Sequence, residues 1–490
     1  MILIGLVLVP LLAAIAALVA PRRRWLEAIT LAGAVVTLLF AVAVVGTVLA
    51  NGRVTALGDW LVADALSALI ALVTAFVGFT AALYSIGYLR EDMKYQDTEH
   101  GAGLARVRRY YVLFNLFVFT MLVVPLSNSL GIMWIAIEGT TLASLFLVSF
   151  YGTREALEAA WKYVIVGSVG LALALFGTVL FYRAAVQTLG ESYALTWTAV
   201  APVAARLDPS VLQLAFLFIV VGYGTKAGLA PMHTWLPDAH SEAPSPVSAL
   251  LSGVLLNCAM YGILRFYSLC APALGAAYVN HLLLGFGLAS LVIAALFIWR
   301  QQDYKRMLAY SSVEHMGLIA AGVAFGGALG LYAALLQLVN HALTKSLMFF
   351  ASGNVLLKYE TKSIDRVSGI ARLMPATGAF LLLGGLAITG SPPFGMFISE
   401  FSILRAGFGN GETPAAIALI VLLGLIFISF LFYLNKMVFG KVTGDATRGE
   451  VSRLGLAAMG LSLALILALG IFIPSPLNDL LRQAAAVLGG

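Results

Sequence analysis

Apolar segments of membrane-spanning length alternate with short polar loops along almost the whole chain. A helix needs about 20 mostly apolar residues to cross the hydrocarbon core of a bilayer. The segments that meet this requirement, with ends placed to within a few residues, are 2–20, 27–50, 61–88, 110–127, 129–150, 159–185, 211–230, 246–270, 278–299, 308–325, 328–357, 374–408, 414–438 and 454–475. The pattern therefore predicts fourteen membrane spans, with the twelfth interrupted, followed by a short surface helix or frayed tail at 476–490.

The composition agrees with this pattern. Of the 490 residues, 61% are hydrophobic and only 11% are charged, whereas soluble domains carry about 25% charged residues. The net charge of +6 does not indicate a nucleic-acid partner, because most basic residues lie in the short loops between the spans. We therefore predict an all-α polytopic membrane protein that is surrounded by lipid and binds no nucleic acid.

The positions of lysine and arginine predict the orientation of the chain. If the first loop is cytoplasmic, 21 of the 29 basic residues lie in or beside cytoplasmic loops. Those on the opposite side are Arg53, Arg183, Arg206, Arg405 and Arg482, and those inside or at the edge of spans are Lys226, Arg265 and Lys345. Because basic residues concentrate on the cytoplasmic side, we expect both termini on the outer side. Arginines follow the first apolar segment and do not precede it, which favours a retained span over a cleaved signal peptide.

Ionisable residues lie deep inside several spans. They are Glu138, Lys226, His315, His341, Lys345 and Glu400. A charged side chain near the centre of a span costs about 2.5–3.5 kcal/mol on insertion scales, so folding alone gives no reason for such residues. Intramembrane ionisable groups usually line ion or proton paths; the alternative is that each is a paired group that locks helices together. His341 and Lys345 are four residues apart and share a helix face.

Two spans contain breaks at corresponding positions. Span 7 contains several glycines and then Pro231, and span 12 contains "GSPPFG" at 390–395. Span 7 is the fourth of spans 4–8, and span 12 is the fourth of spans 9–13. Matched interruptions indicate a transport site in inverted repeats. We predict an N-terminal three-helix segment, a first five-helix repeat as the input half-channel, a second as the exit half-channel, and a C-terminal helix with its tail, with the bounds 1–108, 109–270, 271–440 and 441–490.

Other polar residues have simpler interpretations. Cys258 and Cys270 lie in or at the end of an apolar segment without metal-ligand spacing, so we predict no metal site, cofactor or redox chemistry in this chain. Asp64 is expected to cap a helix or contact a neighbour. Lys162 lies near the cytoplasmic edge, where its side chain can extend to the interface. His233, in the loop after span 7, is interpreted as part of a proton-uptake route or of the loop's own hydrogen bonding.

Four motifs resemble one known family. They are "GTKAGLAPMHTWLPDAHSEAPSPVSALLSGVLL", "DYKRMLAYSSVEHMG", "NHALTKSLMFF" and "SPPFGMFISEF". Together they resemble the antiporter-like membrane subunits of respiratory complex I, of multisubunit Na+/H+ antiporters and of membrane-bound [NiFe]-hydrogenases. The resemblance covers roughly 60–440. The segment "SEAPSPVSALLSGVLLN", together with "SSVEHMG", is most similar to the component F branch of hydrogenase-4-type complexes.

The resemblance implies roles for individual residues. Glu138 would modulate Lys226, and His315, His341 and Lys345 would relay protons to Glu400 as the exit-side group. Lys162 becomes a secondary candidate for coupling to neighbouring subunits. Asn257 stands where the family often has a lysine in the eighth helix. Because asparagine does not exchange protons near neutral pH, the central relay would depend on the histidines, Lys345 or water.

The resemblance also implies a function and a setting. The expected role is proton translocation in a redox-driven complex of the hydrogenase, formate hydrogenlyase or NADH:quinone oxidoreductase type, in a bacterial or archaeal plasma membrane. The chain would assemble with other membrane and peripheral subunits, which would supply the redox energy. One alternative is a subunit of a multisubunit Na+/H+ antiporter without a redox partner. Another is a structural subunit whose charges only lock the helices.

Overall fold

The computed structural model describes residues 1–94, 101–442 and 448–489. In chain order the elements are α1 (Ile2–Val19), α2 (Arg23–Asn51), β1 (Val54–Ala56), β2 (Leu61–Ala63), α3 (Ala65–Asp92), α4 (Gly101–Leu126), α5 (Leu130–Val148), α6 (Arg154–Leu189), α7 (Trp197–Val200), α8 (Pro209–Ala227), α9 (Trp235–Glu242), α10 (Ser245–Leu250), α11 (Leu256–Leu274), α12 (Ala276–Trp299), α13 (Tyr304–Phe325), α14 (Gly327–Tyr359), α15 (Ile370–Leu373), α16 (Pro375–Ile388), α17 (Gly395–Gly409), α18 (Thr413–Phe439), α19 (Arg453–Ile471) and α20 (Ser475–Val487). A 3₁₀ turn (Ala201–Arg206) follows α7, and a π-helical turn (Leu251–Leu255) joins α10 to α11.

The helices confirm a polytopic all-α membrane protein. Among the described residues, 12 helices are long and apolar enough to cross a membrane. The two remaining predicted spans correspond to α14, which has 33 residues but a more polar sequence, and to the pair α16 and α17. The count of fourteen crossings, the inverted repeats and the four-segment division stay predictions. Parts of two predicted segments, 95–100 and 443–447, lie outside the described residues.

The third helix begins later than the predicted start at residue 61. Residues 54–63 form a small antiparallel hairpin in which Val54 pairs with Ala63. Asp64 then caps α3, because its Oδ1 accepts a hydrogen bond from the backbone N–H of Ser67 at 2.9 Å. Its carboxylate also contacts Arg265, with Nη1 and Oδ2 2.7 Å apart. Asp64 is therefore both a helix cap and a neighbour contact.

Both predicted breaks are present as gaps between helices. α8 ends at Ala227, and Gly228 takes a left-handed backbone conformation with φ of 81°, where a side chain would be strained. α16 ends at Ile388, and the chain resumes as α17 only at Gly395. Unwound backbone at membrane depth is tolerated where other protein segments surround it. The breaks therefore place irregular, polar backbone inside the helix bundle.

The helices form an inner group and an outer group. The unit Ser245–Leu274 and α13 are buried on every face, whereas less than half of α1, α2, α12 and α18 is buried. Glycines allow the closest helix contacts: Gly222 of α8 packs against α6, and Gly287 of α12 packs against Gly317 of α13. Lys226, His315, His341 and Lys345 are fully buried and Glu400 is 8% exposed, so protein and not lipid surrounds these five groups.

Candidate functional site

Lys226 lies in the last turn of α8, directly before the first break, and its side chain is fully buried. Its Nζ donates hydrogen bonds to the hydroxyl of Tyr163 at 2.7 Å and to Oγ1 of Thr141 at 2.8 Å. The Tyr163 hydroxyl is also 2.7 Å from Oγ of Ser144. The ammonium group lies 4.2 Å from the centre of the Tyr163 ring and 5.7 Å from that of Trp235. Neutral hydroxyls and aromatic rings therefore hold the amine.

Glu138 lies on α5, one turn before Thr141. Ser168 of α6 donates a hydrogen bond to its Oε1 at 3.1 Å, and its Oε2 has no hydrogen-bond partner in the described part of the chain. The charge of Glu138 acts on Lys226, but the two side chains do not form an ion pair within 4.0 Å among the described residues. The structure thus brings the predicted pair to neighbouring helix faces without direct contact.

A second cluster forms where α13, α14 and α17 meet. Its centre is His315, whose Nδ1 lies 3.1 Å from Nε2 of Gln337 and 4.0 Å from Oε1 of Glu400. The rings of His315 and His341 are 5.5 Å apart. Glu400 packs against Gly390, inside the second break. The structure therefore brings three of the predicted residues together.

Lys345 lies four residues after His341 on α14 and is fully buried. Its Nζ donates to the carbonyl oxygen of Leu308 at 2.7 Å and to Oγ of Ser311 at 2.5 Å, both on α13. Among the described residues, no carboxylate lies within ion-pair distance of this amine. The predicted neighbours Lys345 and Glu400 are consequently not in direct contact, and His315 is the basic group that the structure places 4.0 Å from Glu400.

Several polar atoms of the second cluster have no partner within the described residues. They are Nε2 of His315, both ring nitrogens of His341, Oε1 of Glu400, Oδ1 of Asn340 and Oγ1 of Thr344. A buried polar atom without a hydrogen bond costs about 1–3 kcal/mol, and such atoms are usually satisfied by ordered water. The cluster is therefore suited to hydration and to the exchange of protons between neighbouring groups.

The secondary candidates lie apart from the two clusters. Lys162 is half-exposed and pairs with Glu158 at 2.7 Å and with Asp238 at 3.0 Å. His233 is buried, and its ring centre lies 6.0 Å from that of Tyr310. Asn257 donates to the carbonyl oxygens of Gly253, at 2.9 Å, and Leu338, at 3.3 Å. Asn257 thus connects the π-helical turn to α14 between the two clusters.

Sequence reasoning missed several contributors, among them Tyr163, Gln337, Ser399 and Glu314. Tyr163 and Gln337 contact the predicted residues directly, and Ser399 donates to Oε1 of Gln337 at 2.5 Å. Glu314, next to His315, is also buried. The carboxylate of Glu314 in an apolar span was a usable signal, whereas the contacts of the other three depend on helix packing. In the described ranges, no group of three or more His, Cys, Asp or Glu side chains could hold a metal ion.

The chain matches characterised families and proteins over most of its length. Residues 127–428 match the family described as NADH:quinone oxidoreductase/Mrp antiporter, TM, and residues 60–97 match NADH-Ubiquinone oxidoreductase (complex I), chain 5 N-terminus. The Hydrogenase-4 component F homolog of Methylacidiphilum infernorum (isolate V4) is 41% identical over 88% of this chain and 89% of that protein. Hydrogenase-4 component B of Escherichia coli (strain K12) is 31% identical over 78% of this chain, which spans only 56% of that protein.

Solved structures show the same fold. A chain of the membrane-bound sulfane sulfur reductase, an archaeal respiratory membrane complex, superposes with a TM-score of 0.85 at 25% identity, covering 99% of this chain and 96% of that one. A chain of the Mrp complex from Dietzia sp. DQ12-45-1b gives a TM-score of 0.87 at 22% identity, covering 99% and 97%. A chain of respiratory complex I from Thermus thermophilus gives a TM-score of 0.77 at 22% identity, covering 96% of this chain and 97% of that one. The last two likenesses concern the fold alone.

Proposed function

Because this chain belongs to the NADH:quinone oxidoreductase/Mrp antiporter membrane family, we propose that it carries protons across the membrane as an antiporter-like subunit of a redox-driven complex. The observation that carries the proposal is the environment of Lys226. Its amine is fully buried beside a helix break, and its hydrogen-bond partners are two neutral hydroxyls. A lysine that only locked helices together would be expected to face a carboxylate directly, because an unpaired buried charge is costly.

The mechanism follows from the electrostatics of a buried amine. Burial disfavours the charged form of a lysine, and a nearby carboxylate favours it. A small movement of Glu138 toward Lys226 would therefore load a proton, and its withdrawal would release that proton. The partly exposed Glu138 has one oxygen without a partner among the described residues, which leaves it free to move in this way.

The released proton would continue through the second cluster. We propose the order Lys226, then His341 and Lys345, then His315, and finally Glu400, which lies against the second break. Water would bridge the gap between the two clusters, since Asn257 does not exchange protons. The unpartnered atoms of His315 and His341 support a hydrated path.

The energy for transport would come from partner subunits. We propose membrane and peripheral subunits of a hydrogenase or NADH:quinone oxidoreductase type, because the Methylacidiphilum relative, which matches along most of this chain, is named as a hydrogenase-4 component homolog. The proposed location is a bacterial or archaeal plasma membrane with both termini outside. Purification of the intact complex and mass spectrometry of its subunits would distinguish redox partners from the small subunits of a Na+/H+ antiporter.

The test of the function is Lys226→Ala in the intact complex. We expect normal abundance of the complex and loss of proton uptake into inverted membrane vesicles. Lys436→Ala is the matched control, because this exposed lysine pairs with Asp365 at the surface, with Nζ and Oδ1 2.5 Å apart. Proton uptake at the normal rate in Lys226→Ala, with the control also normal, would refute the proposed function.

A further inference from the structure

Glu314 is a buried carboxylate that the pathway above does not use. It lies on α13 directly before His315, and only 2% of its surface is exposed. Its Oε2 has no hydrogen-bond partner in the described part of the chain. Isolated carboxylates are rarely retained in a protein interior unless an opposite charge or a function compensates for their burial. The burial of this carboxylate therefore points to a compensating charge or a function.

The amine of Lys345 points at the face of α13 that carries Glu314. Lys345 donates to Leu308 and Ser311 of that helix. Glu314 is three residues beyond Ser311, so it projects from the same face one turn further along. The charges of Glu314 and Lys345 act on each other, although the two side chains do not form a direct ion pair among the described residues.

This arrangement resembles that of Glu138 and Lys226. In both cases a carboxylate sits one turn along a helix from a hydroxyl that binds the amine: Glu138 precedes Thr141 on α5, and Glu314 follows Ser311 on α13. In the predicted repeats, α5 and α13 are each the second helix of their block. Each buried lysine thus has a nearby carboxylate that acts on it without touching it.

We propose that Glu314 is a positioning residue that stabilises protonated Lys345 and thereby governs proton transfer from Lys345 to Glu400. The net step moves one proton from the Lys345 ammonium group, through His315, to the Glu400 carboxylate, and no other bond changes. This inference rests on the proposed function. Without Glu314, protonated Lys345 would lose the one carboxylate whose charge acts on it in the described part of the chain.

Other ionisable groups face this region from the neighbouring helices. α14 contributes His341 and Lys345, α17 contributes Glu400, α9 contributes His240, and α13 itself carries Lys305 and His315. The ionisable residues of α12, Tyr278 and His281, lie in its first two turns, at the far end of α13. Among these described groups, Glu314 is the carboxylate whose charge acts on Lys345, and Glu400 acts on Glu314.

The experiment compares Glu314→Gln, Glu314→Asp and Glu412→Gln in the intact complex, with proton uptake into inverted vesicles measured against pH. Removing the carboxylate destabilises protonated Lys345, so the amine keeps its proton only at lower pH. We therefore expect Glu314→Gln to slow uptake about tenfold and to move the alkaline limb of the profile about one unit toward acid. Glu412→Gln removes a carboxylate at the start of α18, away from Lys345, and is the matched control; it should change neither the rate of uptake nor its pH profile.

The conservative variant separates positioning from packing. Glu314→Asp keeps the charge one methylene further back, so it should restore most of the rate with a smaller acid shift. Lys345→Met and Lys226→Ala serve as references. A wild-type rate and profile in Glu314→Gln, with both references inactive, would overturn the inference alone, and full uptake in both references would overturn the proposed function itself. If Glu314→Gln does not assemble, an unshifted profile in Glu314→Asp would overturn the inference.

Discussion

The two buried lysines differ in what surrounds them. Lys226 is held by two hydroxyls and lies over two aromatic rings. Lys345 instead adjoins a group of histidines and carboxylates with several unpartnered polar atoms. A single enclosed amine is suited to switching between two states. A group of neighbouring ionisable residues with unpartnered polar atoms is suited to passing a proton onward. We therefore propose that Lys226 and its hydroxyl partners act as a gate, and that the cluster of Lys345, His341, His315 and Glu400 acts as a relay.

The largest expected effect concerns the end of the relay. Glu400→Gln keeps the shape of the side chain but removes the carboxylate that we propose as the proton acceptor beside the second break. We expect proton uptake to fall to background while the complex assembles normally, because Glu400 forms no close ion pair among the described residues: His315 is 4.0 Å away. Uptake into inverted vesicles, normalised to complex abundance, is the measurement.

Two further variants complete this test. Glu400→Asp retains the carboxylate with a shorter reach, so transfer should be slow but not absent. Glu412→Gln removes a carboxylate at the start of α18 and should leave uptake unchanged. Normal proton uptake in Glu400→Gln would refute the proposed relay in the second half of the chain. The proposed functional difference between Lys226 and Lys345 would then be refuted as well.

The next effect concerns the region between the gate and the relay. Asn257 is buried and donates to two backbone carbonyl oxygens. Asn257→Lys would introduce a buried amine, which costs about 2.5–3.5 kcal/mol on insertion scales when no partner compensates for it. We expect less assembled complex, and in the remaining complex a changed pH dependence of uptake. Asn257→Gln, which keeps the amide, is the control. Unchanged abundance and pH dependence in Asn257→Lys would indicate that the position lies off the path.

The sequence predicted those features that local composition determines. Spans, breaks and intramembrane charges each leave a signal within a few turns of chain, and α8 and α17 begin or end at the predicted interruptions. The hairpin at 54–63 was missed because strands of three residues leave no periodic pattern. The partners of Lys226 were missed because Tyr163 is 63 positions away and meets it only through the packing of α6 on α8.

Glu314 illustrates a different kind of omission. It lies inside a predicted span, so the rule that singled out Glu138 and Glu400 applied equally to it. His315 was predicted from the family resemblance, whereas the carboxylate beside it was not. Its orientation toward Lys345 depends on how α13 faces α14, which the sequence alone does not specify. The structure supplies this relation through the bonds from Lys345 to Leu308 and Ser311.

The smallest expected effect tests the enclosure of the gate. Tyr163→Phe removes one of the two hydroxyls that accept from Lys226 and keeps the ring that lies 4.2 Å from the ammonium group. A hydrogen bond to a charged group contributes about 1.5–3 kcal/mol, so protonated Lys226 should be harder to form and uptake should slow by about tenfold or more. The alkaline limb of the pH profile should move toward acid for the same reason. Tyr223→Phe is the matched control, because Tyr223 is also fully buried and lies on α8, but its hydroxyl does not bind Lys226. If Tyr163→Phe behaved like this control, the hydroxyl of Tyr163 would not contribute to the protonation of Lys226. The first half of the chain would then have to be regarded as a relay of the same kind as the second half.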